Sequence, residues 1–311
     1  MTQLVQISDP SKVEKGRLRL VAEPTTRKRE PGPRPSWLKV RYRRNEAFGE
    51  VARLKDGLDL VTVCEEARCP NIDECWSAGT ATFMLMGDIC TRRCGFCAVT
   101  KGNPRPLDPE EPRHIAEATR KLGVKHAVIT SVNRDELADG GAQHFADTVT
   151  AISQLSPQTR VELLVPDFLG DLKALDLVLD SAPHIVAHNT ETVPRLYTRV
   201  RPQAIYERSL EVIAHISERP DVMSKTGLML GIGETDDEVI DVMFTLREAG
   251  CQILSLGQYL SPTIKHLAVD RWVHPDTFAR FTEVGLAMGF THVESGPLVR
   301  SSYMAHRALE K

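Results

Sequence analysis

The chain has 311 residues, 41% of them apolar, with 39 Lys and Arg against 42 Asp and Glu and a formal net charge of -3. That balance excludes a molecule that binds nucleic acid through overall positive charge, while the apolar share suffices for a sizeable core. No uninterrupted apolar stretch is long enough to span a bilayer and the start carries no secretory signal pattern, so a cytoplasmic location with no membrane partner is expected.

In chain order, residues 1–45 hold Pro31, Pro33 and Pro35 and many basic residues, among them Lys12, Lys15, Arg17, Arg19, Arg27, Lys28 and Arg29. Weak periodicity makes this a partly ordered arm. The alternative is a basic surface for an acidic protein partner, since such charge steers association. Residues 46–80 form a cysteine-rich extension with Cys64-x4-Cys69-x5-Cys75. These spacings fit a wrapped loop with helical pieces around a metal centre, either an iron–sulfur cluster or a zinc knuckle. The seven cysteines are clustered, which in a reducing compartment points to metal ligands and not disulfides. Fifteen residues after Cys75 comes Cys90-Thr-Arg-Arg-Cys94-Gly-Phe-Cys97. A zinc ion would want a fourth nitrogen or sulfur ligand, and this loop offers none. A 4Fe-4S cluster accepts three thiolates and leaves one iron open for chemistry.

From residue 81 to about 290 the chain alternates strands and helices. Strands are expected at Ala81 to Met86, Lys125 to Ser131, Arg160 to Val165, His184 to Ala187, Thr226 to Leu230 and Gln252 to Leu256. Helices are expected at Pro112 to Leu122, Ala142 to Leu155, Asp171 to Asp180, after Ala187 through Ser217 and at Asp236 to Ala249. Such alternation predicts an α/β fold with parallel strands under covering helices, too few for a closed eight-stranded barrel. Working residues then belong at the C-terminal strand ends. There lie Thr130 and Ser131, then Asp139-Gly140-Gly141, Pro166-Asp167, His188-Asn189-Thr190-Glu191, Gly231 to Thr235 and Gly257 to Leu260, with Lys225 on entry to the fifth strand. Cys251 stands alone and reads as a buried thiol.

Cys-x3-Cys-x2-Cys with Phe96 before the last cysteine resembles the cluster loop of the radical S-adenosylmethionine enzymes. The preceding Cys-x4-Cys-x5-Cys, with Asn71-Ile72-Asp73-Glu74-Cys75-Trp76, Thr82-Phe83-Met84-Leu85-Met86-Gly87-Asp88 and the terminal Arg300-Ser301-Ser302-Tyr303, is similar to a two-cluster, sulfur-inserting branch of that family. The resemblance runs from about residue 45 to the C-terminus. It implies a partial (β/α)6 TIM-type barrel over residues 81–290, with the cysteine-rich extension before it and a C-terminal segment, 291–311, closing an auxiliary cluster.

It also implies roles. Cys90, Cys94 and Cys97 would hold the cluster that binds and cleaves S-adenosylmethionine to a 5′-deoxyadenosyl radical, with Phe96 over the cluster or near the adenine, or simply in the core. Asp139-Gly140-Gly141 sits where the family often has Gly-Gly-Glu, but with Asp before the glycines and Ala142 after; an ordinary turn before a helix is the alternative. Asn189 and Glu191 are candidates for the ribose or adenine, or for a helix cap. Arg201, Arg199 and Lys225 are candidates for the methionine carboxylate, or solvated surface. Thr130 and Ser131 would line the pocket or merely end a strand. Cys64, Cys69 and Cys75 would hold the auxiliary 4Fe-4S cluster with Ser302 as fourth ligand, Ser301 being the fallback. An alkoxide is a harder, more exchangeable ligand than thiolate, which suits a cluster that is dismantled.

The implied reaction inserts two sulfurs at C6 and C8 of an octanoyl chain amide-linked to a carrier lysine, using two S-adenosylmethionine molecules and the auxiliary cluster as sulfur donor. Implied partners are octanoylated lipoyl carrier domains (2-oxoacid dehydrogenase E2 subunits and the glycine cleavage H protein), a ferredoxin or flavodoxin, and iron–sulfur carrier proteins. His266, Tyr259 and Arg271 are candidates for the walls of the acyl tunnel. The rival readings are another radical enzyme of the biotin-synthase-like or methylthiolating kind, a two-cluster electron carrier, and a zinc-stabilised binding module.

Overall fold

A computed structural model describes residues 31–40 and 44–303, together with Ala305 and Arg307. Residues 1–30 and 41–43 of the basic arm lie outside the described residues.

The extension opens with α1 (Glu46–Gly57), capped by the Asn45 side chain accepting from the Phe48 amide, and continues through α2 (Val63–Glu66) and α3 (Ile72–Ser77). Val51, Cys64 and Trp76 form its small core, with Phe48 against Trp76. The barrel follows as β1 (Thr82–Leu85), the short pair β2 (Ile89–Cys90) and β3 (Thr100–Lys101), α4 (Glu111–Leu122), β4 (His126–Ser131), α5 (Ala142–Leu155), β5 (Arg160–Leu164), α6 (Leu172–Asp180) and β6 (Ile185–Ala187). The second half contains α7 (Tyr197–Val200), α8 (Tyr206–Ser217), β7 (Met223–Leu230), α9 (Asp236–Glu248), β8 (Ile253–Gln258), α10 (Pro275–Ala287) and β9 (His292–Gly296).

Seven strands form one parallel sheet in the order β1-β4-β5-β6-β7-β8-β9, with β2 and β3 paired separately. Every expected strand is present within a few residues. The seventh strand, β9, is additional to the six the alternation predicts. It pairs with β8 at the sheet edge, and only Val293 within it is buried. The β1 edge is covered by the chain before it, where the Val61 carbonyl accepts from the Met84 amide and Thr62 bridges Phe83.

Near-continuous apolar burial on β1, β4 and β8 is what a parallel sheet clothed by helices requires. One core lies between β1, β4, β5 and their helices, centred on Ile129, Leu163, Phe145 and Ile152. A second lies under α9 and α10, around Leu254, Leu256, Met243 and Phe281. Helix ends are set locally. Thr235 and Glu238 form a reciprocal capping box on α9, and Asp171 caps α6. Residues 31–40 pack onto this body: Leu38 is fully buried, Trp37 stacks edge-on against His274 at 5.1 Å, and the Gly32 carbonyl accepts from Trp272 Nε1.

Inside the curve, β7, β8 and β9 carry Gly227, Gly257 and Gly296, with Gly257 and Gly296 directly paired. The missing side chains make a slot for the C-terminal segment. A Cβ at 257 would collide with the Val299 carbonyl oxygen. One at 227 would lie 3.0 Å from Asn189 Oδ1 and 3.2 Å from Ser301 Oγ. Because the colliding atom at 257 is backbone, Gly257→Ala is expected to destabilise the fold by about 1–3 kcal/mol, read as a lowered Tm. Gly57→Ala, where a Cβ meets nothing within 4 Å, is the control expected to leave Tm unchanged or raised.

Candidate functional site

The cysteine loop leaves β1 at the C-terminal rim of the sheet and is pinned at almost every residue. Thr91 exchanges hydrogen bonds with Asn133 and Asp135: its amide and hydroxyl donate to the Asn133 carbonyl, and its hydroxyl accepts from the Asp135 amide at 3.3 Å. Arg92 is 3% exposed and reaches from the loop to two strand ends. Its Nε and Nη2 donate to Asp135 at 2.7 and 2.9 Å, and Nη2 also donates to Asp167 at 2.5 Å. The Gly95 amide donates to the Val200 carbonyl, and the Leu267 amide donates to the Gly95 carbonyl. His266 Nε2–H donates to the Cys97 carbonyl at 3.0 Å, its Nδ1 accepting from the Thr263 hydroxyl. The amides of Arg92 and Asn133 both point at Cys90 Sγ at 3.4 Å.

Electrostatics place the thiols in two groups. Burial pushes the Cys97 thiol up to about 12, with Cys94 and Cys90 adding to it. Burial likewise pushes Cys75 up to about 12 and Cys64 up to about 11, with neighbouring thiols of their own set contributing. Such thiols stay protonated at neutral pH until a cation takes the place of the protons, and iron is one that soft thiolates favour. Among the described residues no three His, Cys, Asp or Glu side chains converge on a single-ion site. The first triad and two cysteines of the second instead border a larger space.

That space is one cavity of ≈ 980 Å³, lined by Cys90, Cys94 and Cys97 on one side and by Cys64, Cys69, Ser301 and Ser302 on another. Around the first triad it carries polar atoms with no protein partner: Ser131 Oγ, Asn133 Oδ1, Asn189 Oδ1 and Arg201 Nε. Buried polar groups of this kind call for a polar ligand. They fit the hydroxyls, amine and carboxylate of S-adenosylmethionine beside an open iron. Arg201 is 8% exposed, its Nη1 donating to the Asn189 carbonyl at 2.6 Å, and its charge lowers Cys94 against the effect of burial. Burial raises Glu191, opposed by Arg201 and by the Asn189 amide, which donates to it at 3.1 Å. Burial and the Arg201 charge push His188 down to about 4, so it is neutral at physiological pH.

The second triad meets the C-terminal segment. Asn71 Nδ2 donates to the Leu298 carbonyl at 2.7 Å, and the Tyr303 hydroxyl donates to Glu74 at 3.2 Å. These bonds hold residues 298–303 between the cysteine-rich extension and the glycine slot. Ser301 Oγ accepts from Asn189 Nδ2 at 2.7 Å. Ser302 borders the cavity, and its hydroxyl makes no hydrogen bond among the described residues. Arg300 is half-buried and lines the cavity, with its charge near Cys69 and Glu191.

The structure therefore brings Phe96, Thr130, Ser131, Asn189, Glu191, Arg201 and Tyr259 to the cavity with five of the six cluster cysteines and Ser302, and Cys75 to the charge neighbourhood of Cys64 and Cys69. Other expected residues lie elsewhere. Lys225 is 2% exposed and bonded to Glu162 Oε1 at 2.6 Å, below the strand ends. Asp139 accepts from the amides of Gly141 and Gln143, which makes the Asp139-Gly140-Gly141 run a turn that starts α5. Gly141 has φ 90° and packs on Met86, so the glycine serves a backbone conformation and a close contact. Arg199 is exposed, Arg271 pairs with Glu234 and Asp236, and His266 braces the loop from outside the lining. Cys251 is fully buried near the Ile253 carbonyl. Sequence reading missed Arg92 as the brace of the loop, and Asp135 and Asp167 as its partners. The signal was an arginine between two cluster cysteines and an aspartate at each of two strand ends.

The family model of the radical SAM superfamily matches residues 84–246. The S-adenosylmethionine-bound crystal structure of Streptococcus suis SuiB superposes with a TM-score of 0.56 at 12% identity, covering 73% of this chain and 55% of that one, a likeness of fold. A lipoyl synthase of Rubrobacter xylanophilus is 55% identical over 278 residues, 89% of this chain and 87% of that protein. One of Azotobacter vinelandii is 56% identical over 277 residues, 88% of this chain and 84% of that protein. The chain is thus a radical S-adenosylmethionine enzyme, a class that works with a 4Fe-4S cluster and S-adenosylmethionine. Within that class it belongs to the lipoyl synthase family. Among the described residues no helix is long and apolar enough to cross a membrane.

Removing the brace tests its weight. Burial raises the Asp167 carboxyl, but the Arg92 hydrogen bond and charge outweigh this and hold it at about 2. In the wild type Asp167 thus adds stability that is present above its unfolded value and lost as pH falls towards 2. Arg92→Met leaves the carboxylate buried and is expected to cost about 3–5 kcal/mol at pH 7 in urea unfolding. With only the longer Arg208 contact left, at 3.4 Å, Asp167 titrates higher than in the wild type, so this deficit should shrink as pH falls from 7 and it takes a proton. A deficit independent of pH would assign the loss to packing alone.

Proposed function

We propose that this enzyme inserts two sulfur atoms, at C6 and C8, into an octanoyl group amide-linked to a lysine of a lipoyl carrier domain. The observation that carries the reading is one cavity bordered by Cys90, Cys94 and Cys97 and by Cys64, Cys69 and Ser302, the last on a segment threaded through a glycine slot. Saturated carbons have no acidic proton and no leaving group, so acid–base chemistry cannot functionalise them. When bound at Cys90, Cys94 and Cys97, the cluster with S-adenosylmethionine supplies a carbon radical able to take hydrogen from such a carbon. Two hydrogens are replaced, hence two S-adenosylmethionine molecules per lipoyl group.

This chain's residues divide the remaining work. Arg201, Asn189, Glu191, Ser131 and Asn133 offer the polar contacts around the first triad. Met84, Leu164, Val165 and Met229 offer an apolar wall that excludes water and suits an acyl chain. Cys64, Cys69, Cys75 and Ser302 hold the auxiliary 4Fe-4S cluster, which is the sulfur substrate. Ser302 completes this set, whereas Ser301 already accepts from Asn189. As an alkoxide Ser302 would be the most exchangeable ligand of that set, which suits a cluster that gives up sulfur. The carrier domains are those of 2-oxoacid dehydrogenase E2 subunits and the glycine cleavage H protein. A ferredoxin or flavodoxin supplies electrons, iron–sulfur carrier proteins restore the cluster, and the setting is cytoplasmic.

Mass spectrometry of an octanoyl-lysine peptide, incubated anaerobically with reconstituted enzyme, reductant and S-adenosylmethionine, tests the reading. The expected product carries two sulfurs in place of two hydrogens. Ser302→Ala is expected to lower sulfur insertion at least tenfold while 5′-deoxyadenosine still forms. Formation of 5′-deoxyadenosine with the wild type and an unaltered peptide would move the substrate elsewhere.

A further inference from the structure

The interior of a parallel barrel is ordinarily filled by layers of branched apolar side chains. Here the floor of the cavity carries an ionic group. Glu162, in the middle of β5, is 1% exposed and Lys225, three residues into β7, is 2% exposed. Lys225 Nζ donates to Glu162 Oε1 at 2.6 Å, and His126 Nε2, at the first position of β4, lies 3.0 Å from Glu162 Oε2. Burial favours the neutral carboxyl, but Lys225 and His126 outweigh it and hold Glu162 below the usual carboxylate range. Taking such charges out of water is costly, and the chemistry at the strand ends uses none of them.

Register shows where this layer lies. Thr82 pairs with Val128 and Val128 with Glu162, while Met84 pairs with Thr130 and Thr130 with Leu164 one step nearer the rim. On their own strands Thr82, Val128, Glu162, Gly227 and Ser255 are the deepest cavity residues, each about 7 Å along its strand below Met84, Thr130, Leu164, Met229 and Gly257. Above them Met84, Leu164, Val165 and Met229 give an apolar wall interrupted by Thr130; at the floor the Glu162 carboxylate faces the cavity, held from behind by Lys225 and His126, and it blocks further descent.

We propose that the Glu162–Lys225–His126 layer is the stop that sets the length of acyl chain this enzyme accepts. The proposal rests on the acyl-amide substrate argued above. A chain entering amide-last gains affinity with each methylene laid against the apolar wall, roughly fourfold per methylene. The gain ends at the ionic layer. One more methylene would have to separate Glu162 from a donor, and that leaves a buried charge unpaired. Ser255, small and beside the layer, leaves the last space before it.

The test is binding of hexanoyl-, octanoyl- and decanoyl-lysine peptides to the iron-loaded enzyme with S-adenosylmethionine present, by equilibrium dialysis. The wild type should bind octanoyl at least tenfold more tightly than decanoyl. Replacing the charged pair together, Glu162→Leu with Lys225→Met, should bring decanoyl to within threefold of octanoyl. Ser255→Leu raises the floor without touching the ions and should weaken octanoyl at least tenfold while leaving hexanoyl within threefold. Wild-type length preference in either variant, at full iron content, would overturn the stop; if the paired variant fails to fold, Ser255→Leu decides alone. A wild type that binds none of the three peptides would instead overturn the acyl-amide substrate, and the stop with it.

Discussion

The structure hangs on one buried arginine. A loop carrying three cysteines has little reason of its own to keep a shape, since its thiols repel one another once ionised. Arg92 gives it one by bridging Asp135 after β4 and Asp167 after β5, a fork that matches carboxylates in fixed geometry. The loop thereby takes its position from the sheet. Everything aimed at the loop from the same rim inherits that position: the amides on Cys90, Arg201 beside Cys94, and the polar atoms of Ser131, Asn133 and Asn189.

The second constraint is space. A C-terminal segment reaches into the barrel mouth only because Gly227, Gly257 and Gly296 leave room on three neighbouring strands. Asn71 and the Tyr303–Glu74 contact then tie that segment to the cysteine-rich extension. Two distant pieces of chain, residues 64–75 and 298–303, become one wall of the cavity. The opposite wall is the braced loop. The proposed reaction, which must deliver a radical and a sulfur atom to the same chain, would use this arrangement, with Met84, Leu164 and Met229 as the apolar part of the lining.

Much of this is legible in the chain itself. Strand and helix alternation gives the parallel sheet, because runs such as His126 to Ser131 and Ile253 to Gln258 are buried on both faces. Cysteine spacing gives the two triads. What escapes is whatever depends on a partner far away in sequence. β9 carries a single buried residue, Val293, and has no apolar run to announce it. Lys225 reads as a ligand for a carboxylate, and it does meet one, but that carboxylate is Glu162, 63 residues upstream, deep in the barrel. Asp139-Gly140-Gly141 reads as a cofactor turn or as an ordinary turn before a helix, and only local hydrogen bonds and the contact with Met86 show it starting α5. The glycine slot has no local signature, since each glycine answers to atoms of a segment brought in by the fold.

The central claim is that sulfur comes from the cluster at Cys64, Cys69, Cys75 and Ser302. Its most direct test is to rebuild the protein's clusters with heavy-isotope sulfide, remove free sulfide, and run a single turnover on an octanoyl-lysine peptide with unlabelled reagents. The expected product carries the heavy isotope at both inserted sulfurs. Unlabelled product from fully labelled enzyme would contradict it and place the sulfur source outside this chain.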